Sequence, residues 1–535
     1  MSIAPGNRPD FRSAGELLEF QARRLGDEPF IRCGGDWVSY AALDEQSTDT
    51  AAGLHELGVR AGDRVAILAA NSVGVAESIF ACSKAAAVEV PLNTYLRGSF
   101  LQHQLADSGS TVAFVDREGY DALSRLETPS TIERFVLLTD DAPSDPRCLT
   151  LSELRAIGRP EQPARPLSSD LAAIMYTSGT TGPAKGCMIP HGMFTAFSRF
   201  HCSSGYIEPG DRVLCASPLF HMGCQGAMLI AALANDASIC FVERFSASRF
   251  MPLARDIGAT ALHGVGAAAV AILAQPPAKE DKKMGLRVAV WVPLPADQAD
   301  EFERRFGVKT FAESYGQTEC MPISMPRGDR QTPRGSAGFP IDAVEVAVLD
   351  DDDEQLPVGA VGEIAVRLRV PNAMYRGYWN NPEASLKAVS NLWHHTGDLG
   401  RLDEAGFLWI TDRKADALRR RGENVSSTEL EAAIRRHAMV QDVAVHGVPS
   451  SMSEQDIKAC IIVAQGHAPT VAQLFDFFRT ELPYFAIPRY VEIVDEFPVN
   501  AVGRVRKDVL RKAGVTANTW DLEEMGFTVA PNERR

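Results

Sequence analysis

No stretch of the chain approaches eighteen uninterrupted apolar residues, and the opening MSIAPGNRPDF carries no apolar leader core. Neither a membrane-spanning helix nor a secretory signal is expected, and the composition suits a cytoplasmic protein. The ten cysteines (Cys33, Cys82, Cys148, Cys187, Cys202, Cys215, Cys224, Cys240, Cys320 and Cys460) include no Cys-x-x-Cys pair, so neither a disulfide frame nor a zinc site is predicted. Positive charge is also scarce. Lysine and arginine number 54 against 69 acidic residues, and the net charge of −15 argues against nucleic acid or an anionic membrane as the main partner. Recognition of phosphate therefore has to come from local arrangement.

What is present is enough apolar residue, 45% of 535, to bury more than one core. The runs Val65–Ala69, Val88–Leu92, Val112–Val115, Ile239–Val242 and Val288–Val292, with helical patterns such as 76–87 between some of them, have the rhythm of helix-covered parallel sheets. Near 340–370 the pattern changes to the closely spaced strands Val344–Leu349 and Glu363–Leu368, which predicts a small β subdomain. Beyond Asp412, Ser426-Ser427-Thr428-Glu429 reads as a capping box opening a helix. The strands Val443–Val448 and Ala459–Ala464 and a helix over 471–480 complete a small α+β unit. The expected fold is α/β, with an N-terminal domain over 1–411, a boundary at 412–416, a C-terminal domain over 417–514 and a tail, 515–535, without pattern.

Five motifs carry chemistry. After the apolar run Leu171–Met175 comes Tyr176-Thr177-Ser178-Gly179-Thr180-Thr181-Gly182-Pro183-Ala184-Lys185-Gly186. Its glycines let the backbone approach a polyphosphate, and its hydroxyls, N–H groups and Lys185 supply donors and charge. It is not a Walker loop, because Gly186 follows Lys185 where serine or threonine is required. Ser314-Tyr315-Gly316-Gln317-Thr318-Glu319 follows the run Val308–Ala312 and sets an aromatic face, a hydroxyl and a carboxylate at the mouth of a sheet. Trp393-His394-His395-Thr396-Gly397-Asp398 places a carboxylate after a glycine turn, Thr411-Asp412-Arg413-Lys414 places cations before the small domain, and residues 498–507 form a second glycine turn with Arg504, Arg506 and Lys507. Taken singly, Asp398 reads as a turn cap, Glu319 as a helix cap and 504–507 as a solvated charge run. Their conjunction points to a nucleotide site.

In these motifs the chain resembles the adenylate-forming superfamily of acyl-CoA synthetases, non-ribosomal adenylation domains and firefly luciferase, from about Trp37 to Leu510. Within it the chain is most similar to the crotonobetaine/carnitine-CoA ligases, through Pro218-Leu219-Phe220-His221-Met222-Gly223-Cys224-Gln225 and Arg421-Gly422-Glu423-Asn424-Val425-Ser426. The resemblance implies ATP, Mg²⁺ and coenzyme A. It implies that Thr177, Ser178, Gly179, Thr180, Thr181, Gly182 and Lys185 hold the β- and γ-phosphates. Tyr315 would stack on adenine, Thr318 touch the α-phosphate, Glu319 bind Mg²⁺, and Asp398 and Arg413 hold the ribose. His221 would border the acceptor pocket, and the small domain would be mobile about 412–416.

The chain leaves the family pattern at four positions. Arg504 stands where the family keeps its adenylation lysine, and an arginine fork is not equivalent to a point charge at phosphate. Arg421 replaces one glycine of a pair beside the pantetheine tunnel, and Ala486 stands where a lysine is usual. Trp291-Val292-Pro293 stands where the family often keeps a Gly-Gly-Ala segment beside the acyl pocket, and Trp291 is expected to narrow that pocket. The leading expectation is an AMP-forming ligase for a small carboxylic acid, aromatic or carnitine-like, with coenzyme A as acceptor. Two alternatives stay open: an ATP-dependent diazotase that activates nitrite for an aromatic amine, and a non-catalytic nucleotide-binding homologue. The oligomeric state is open.

Overall fold

The computed structural model describes residues 10–126, 131–158, 164–177, 183–200, 204–294, 296–312, 314–327, 331–413, 417–420, 423–450, 455–498, 505 and 507–529. They fall into two compact units: Met1–Asn93, Leu105–Tyr176 and Gly186–Asp412 in one, and Thr94–Gln104, Thr177–Lys185 and Arg413–Arg535 in the other. No helix among the described residues is long and apolar enough to cross a membrane.

Two seven-stranded sheets build most of the larger unit. The first runs in the spatial order Lys309–Phe311, Val288–Trp291, Ala261–Gly264, Arg212–Cys215, Ser238–Phe241, Pro29–Arg32, Val38–Ser39, parallel except for the last pair. The second runs Cys148–Thr150, Arg134–Leu137, Val112–Val115, Arg64–Leu68, Val88–Pro91, Leu171–Thr177, Lys185–Pro190. Helices cover these strands on both faces, which is why Val112–Val115 and Val88–Pro91 are buried along their whole length; Val112–Val115 reads as an unbroken apolar run, whereas Val88–Pro91 carries the buried carboxyl of Glu89. An antiparallel sheet of Val344–Leu349, Gly362–Leu368, Trp393–Leu402, Val389–Ser390 and Leu408–Arg413 forms the expected β subdomain.

The helix expected over 76–87 runs instead from Val73 to Lys84. The Ser72 side chain accepts the Val75 N–H and starts it early, and Ala86 at φ 53° ends it. A six-residue π-helix, Gln225–Ile230, follows the short helix Met222–Cys224 just after His221.

The smaller unit carries the sheet Val440–Pro449, Gln455–Val463, Tyr490–Ile493, Trp520–Asp521, with the helices Ser427–Ile434 and Val471–Glu481. The segment after 514, patternless in sequence, thus adds an edge strand. Two residues are too few to show a period, and ion pairs of Arg489 with Asp521 and Asp456 hold that edge in place. The helix 427–434 starts where the capping box predicts, but the Ser426 side chain lies outside the described residues.

Candidate active site

Two loops at the carboxyl ends of the first sheet's strands build the site. Strand Arg212–Cys215 leads into residues 216–225, and strand Lys309–Phe311 leads into the hairpin Tyr315–Gln317/Cys320–Met325. Open α/β sheets gather ligands at this edge. Gln317 pairs with Cys320, so Thr318 and Glu319 form a two-residue turn. Glu319 is therefore a turn residue and not a helix cap. The two loops are neighbours, since a Cβ on Gly223 would sit 3.7 Å from Met321 Sδ.

Asn71, which follows strand Arg64–Leu68 of the second sheet, ties the first loop down. Its amide donates to the Ser217 and Val242 carbonyls at 3.0 Å each, and its Oδ1 accepts the Leu219 N–H at 2.8 Å. The strand ends of both sheets are thereby clamped through one buried side chain. His221 is half-buried at the start of the short helix Met222–Cys224, its ring 4.6 Å from that of Phe220.

Tyr315 Oη donates to Asp398 Oδ2 at 2.6 Å, and Gln317 Nε2 donates to the same oxygen at 2.7 Å. Gln317 also donates to the Thr396 carbonyl. Asp398 itself is 4% exposed and sits after Gly397 at φ 71°, a conformation that glycine adopts without strain. The two motifs that the sequence separates by eighty residues are thus one hydrogen-bonded group. Glu319 Oε1 accepts the Tyr378 hydroxyl at 2.8 Å, the one hydrogen bond to that carboxylate among the described residues.

Trp291 requires a correction. Side chains alternate across a strand, and Trp291 with Ala289 faces the helices Ala247–Asp256 and Ala296–Phe306, packed against Phe250 and Phe302. Leu219, Met222, Cys224 and Tyr315 lie in the cluster on the opposite face, and it is Val292 that joins them. The indole fills the space over Gly264, where a Cβ would be 2.6 Å from the ring. Trp291 is a core residue of the helical layer and does not narrow the side on which His221 lies. Ala486, likewise, is buried in the apolar core of the small unit.

Ser178, Gly179, Thr180, Thr181, Gly182, Arg421, Gly503 and Arg504 lie outside the described residues. Thr177 ends strand Leu171–Thr177, Lys185 opens strand Lys185–Pro190, and the Thr177 hydroxyl donates to the Lys185 carbonyl at 3.5 Å. Thr318 is half-buried in the turn. Arg413 ends strand Leu408–Arg413, and its side chain is not described.

Residues that sequence reasoning passed over complete the picture. Cys215 Sγ lies 3.8 Å from Cys224 Sγ and 3.6 Å from His263 Nδ1. Burial raises the Cys215 thiol, but hydrogen bonds with Cys224 and His263 outweigh it and bring the thiol below its ordinary range; burial and the Cys215 neighbour push Cys224 up. Cys224 lies inside the Pro218–Gln225 motif and Cys215 just before it, which was the available signal. Tyr378 gave none, since nothing in Arg376-Gly377-Tyr378 marks it as a partner of Glu319.

With this geometry in view, the comparisons with known proteins decide the family. Residues 18–379 match the AMP-binding enzyme family and residues 429–504 match the AMP-binding enzyme C-terminal domain. The chain belongs to the AMP-binding enzyme family, whose members are ATP-dependent AMP-forming ligases. It is 31% identical over 487 residues to a crotonobetaine/carnitine–CoA ligase of Escherichia coli, covering 88% of this chain and 93% of that protein. Among solved structures, the amide bond synthetase McbA from Marinactinospora thermotolerans is similar at TM-score 0.80 and 26% identity, covering 94% and 99% of the two chains. An o-succinylbenzoate CoA synthetase from Bacillus subtilis shares the fold at TM-score 0.80 and 24% identity, over 94% and 98%. For this adenylate-forming enzyme, ATP is the family's nucleotide.

The metal that usually accompanies ATP can be tested against the residues present. The described residues contain no cluster of three or more His, Cys, Asp or Glu side chains able to hold a metal. Glu319 offers a single half-buried carboxylate with Oε2 free of any described hydrogen bond. One carboxylate is what Mg²⁺ asks of a protein when phosphates and water supply its other ligands. The site fits Mg²⁺ in that form.

Proposed function

We propose that the protein activates a small carboxylic acid, aromatic or carnitine-like, as its acyl-adenylate and passes the acyl group to coenzyme A. The observation that carries this reading is the Tyr315–Asp398–Gln317 group, which joins the expected adenine and ribose residues at one sheet edge. In the first half-reaction a carboxylate oxygen attacks the α-phosphorus of ATP and pyrophosphate leaves. In the second the coenzyme A sulfur attacks the acyl carbon and AMP leaves. The protein contributes chiefly positioning and charge stabilisation.

In this reading Tyr315 stacks on adenine, Asp398 and Arg413 hold the ribose, and Thr318 contacts the α-phosphate. The segment Thr177–Gly182 and Lys185 hold the β- and γ-phosphates, Arg504 serves the adenylation step, and His221 borders the acid. Glu319 holds Mg²⁺, which when bound offsets the charge of the phosphates. Residues 1–411 form the nucleotide domain, 412–416 a hinge, and 417–514 a swinging domain with 515–535 as its tail. The location is cytoplasmic.

A second acceptor is favoured by the departures at Arg421, Ala486 and Arg504. The name of the similar amide bond synthetase, which implies a nitrogen acceptor for that protein, supports this reading. Here the activated oxyanion is nitrite and the acceptor an aromatic amine. One assay separates the readings: pyrophosphate release and AMP formation, measured with a panel of acids and with nitrite plus arylamines, with and without coenzyme A. Turnover of a carboxylate that depends on coenzyme A supports the ligase and sinks the diazotase. Turnover that requires nitrite and ignores coenzyme A does the reverse. ATP binding with no AMP under any condition leaves the non-catalytic homologue.

A further inference from the structure

Glu319 stands on a two-residue turn, where the backbone does little to aim its side chain. A free glutamate samples many rotamers, and ordering it costs up to about 2 kcal/mol. The fold supplies the missing constraint from the segment Tyr375–Trp379. The Tyr375 N–H donates to the Glu319 carbonyl at 2.9 Å, and the Tyr378 hydroxyl donates to Glu319 Oε1 at 2.8 Å.

That segment is itself fixed. Its Arg376 N–H donates to the Met188 carbonyl and its Trp379 N–H to the Gly186 carbonyl, while the Gly377 carbonyl accepts the Met188 N–H. Ser385 Oγ accepts the Tyr378 N–H at 2.8 Å. The Tyr378 ring is 7% exposed and meets the Tyr375 ring edge-on at 5.2 Å. Tyr375 in turn places its hydroxyl 3.4 Å from His394 Nδ1.

We propose that Tyr378 is a positioning residue: its hydroxyl holds one oxygen of Glu319 so that the other faces the divalent cation carried by the nucleotide. This rests on the reading of Glu319 as the metal ligand. The same segment is hydrogen-bonded to strand Lys185–Pro190, which follows the glycine-rich motif, so the carboxylate is aimed from the element that leads out of the proposed phosphate loop.

The test compares Tyr378→Phe, Tyr375→Phe and Glu319→Gln in the full chain. Mn²⁺ affinity is measured by electron paramagnetic resonance with a non-hydrolysable ATP analogue, alongside analogue binding without metal. Losing a hydrogen bond to a charged group predicts roughly tenfold weaker Mn²⁺ binding in Tyr378→Phe, with metal-free analogue binding unchanged. Tyr375→Phe, which removes a buried hydroxyl that does not reach Glu319, should leave Mn²⁺ affinity as it is. In turnover, Tyr378→Phe should raise the Mg²⁺ concentration for half-maximal rate while the rate at saturating Mg²⁺ recovers. Wild-type Mn²⁺ affinity in Tyr378→Phe, with affinity lost in Glu319→Gln, overturns the positioning role alone. Wild-type affinity in Glu319→Gln overturns the metal-ligand reading beneath it. If Tyr378→Phe does not fold, the Glu319→Asp variant decides: withdrawn from the Tyr378 hydroxyl by one methylene, it should also bind Mn²⁺ roughly tenfold more weakly, and wild-type affinity there overturns the proposal.

Discussion

Tyr315 Oη and Asp398 Oδ2 are joined at 2.6 Å across 83 residues of sequence, and Gln317 shares the same oxygen. The hairpin that follows the first sheet and the strand Trp393–Leu402 of the β subdomain are thereby locked together. A hydrogen bond to a charged group contributes about 1.5–3 kcal/mol. Asp398→Ala is expected to raise the KM for ATP about 10- to 100-fold in a pyrophosphate-release assay, and Tyr315→Phe about tenfold or less. An unchanged KM in Asp398→Ala would remove Asp398 from the nucleotide site.

Asn71 binds three backbone groups at the strand ends of the two sheets. Asn71→Ala leaves the Ser217 and Val242 carbonyls and the Leu219 N–H without that partner and should cost about 2–3 kcal/mol in urea unfolding. The loop bearing His221 would also loosen, so the KM for the acid should rise more than the KM for ATP. Equal changes in both constants would contradict the assignment of that loop to the acceptor side.

Glu89 is a carboxyl in the middle of the second sheet, and burial pushes it up to about 8 from an ordinary 4.5; Gln225 Nε2, at 3.5 Å, only partly offsets this. The folded pKa is raised, so the stability that the neutral carboxyl allows is complete below about pH 4.5 and is lost as pH rises towards 8. Glu89→Gln, which keeps shape and needs no proton, should flatten this dependence. It should gain about 1–3 kcal/mol at pH 8 and nothing at pH 4. Parallel unfolding curves for the two proteins across that range would refute the buried-carboxyl account.

Two glycines give opposite expectations for the same change. A Cβ on Gly266 would lie 1.8 Å from the Pro293 carbonyl oxygen, and neither backbone can yield cheaply. Gly266→Ala should cost about 2–4 kcal/mol. Gly35 has no neighbour within 4 Å of such a Cβ, and Gly35→Ala should stay within about 0.5 kcal/mol of wild type. Thermal melts of the pair decide whether close backbone approach, and not glycine flexibility, is what Gly266 provides.

The sequence by itself determined the sheets and the motifs. A strand buried on both faces must be apolar throughout, so Val112–Val115 appears in the structure with the bounds its residues predict, and Val344–Leu349, interrupted only by the half-buried Glu345, does so too. Motif residues declare themselves because phosphate and ribose chemistry needs few residue types in set spacings. Only the tertiary structure decided what those residues face and what holds them. Trp291 was placed on the helical side of its strand by a one-residue alternation that a short apolar run does not reveal. Tyr378 reaches Glu319, and Asn71 reaches Ser217, Leu219 and Val242, through chain separations that leave no periodic trace. A sequence records which groups a site contains, but their aim is set by packing between segments far apart in the chain, and that exists only once the chain has folded.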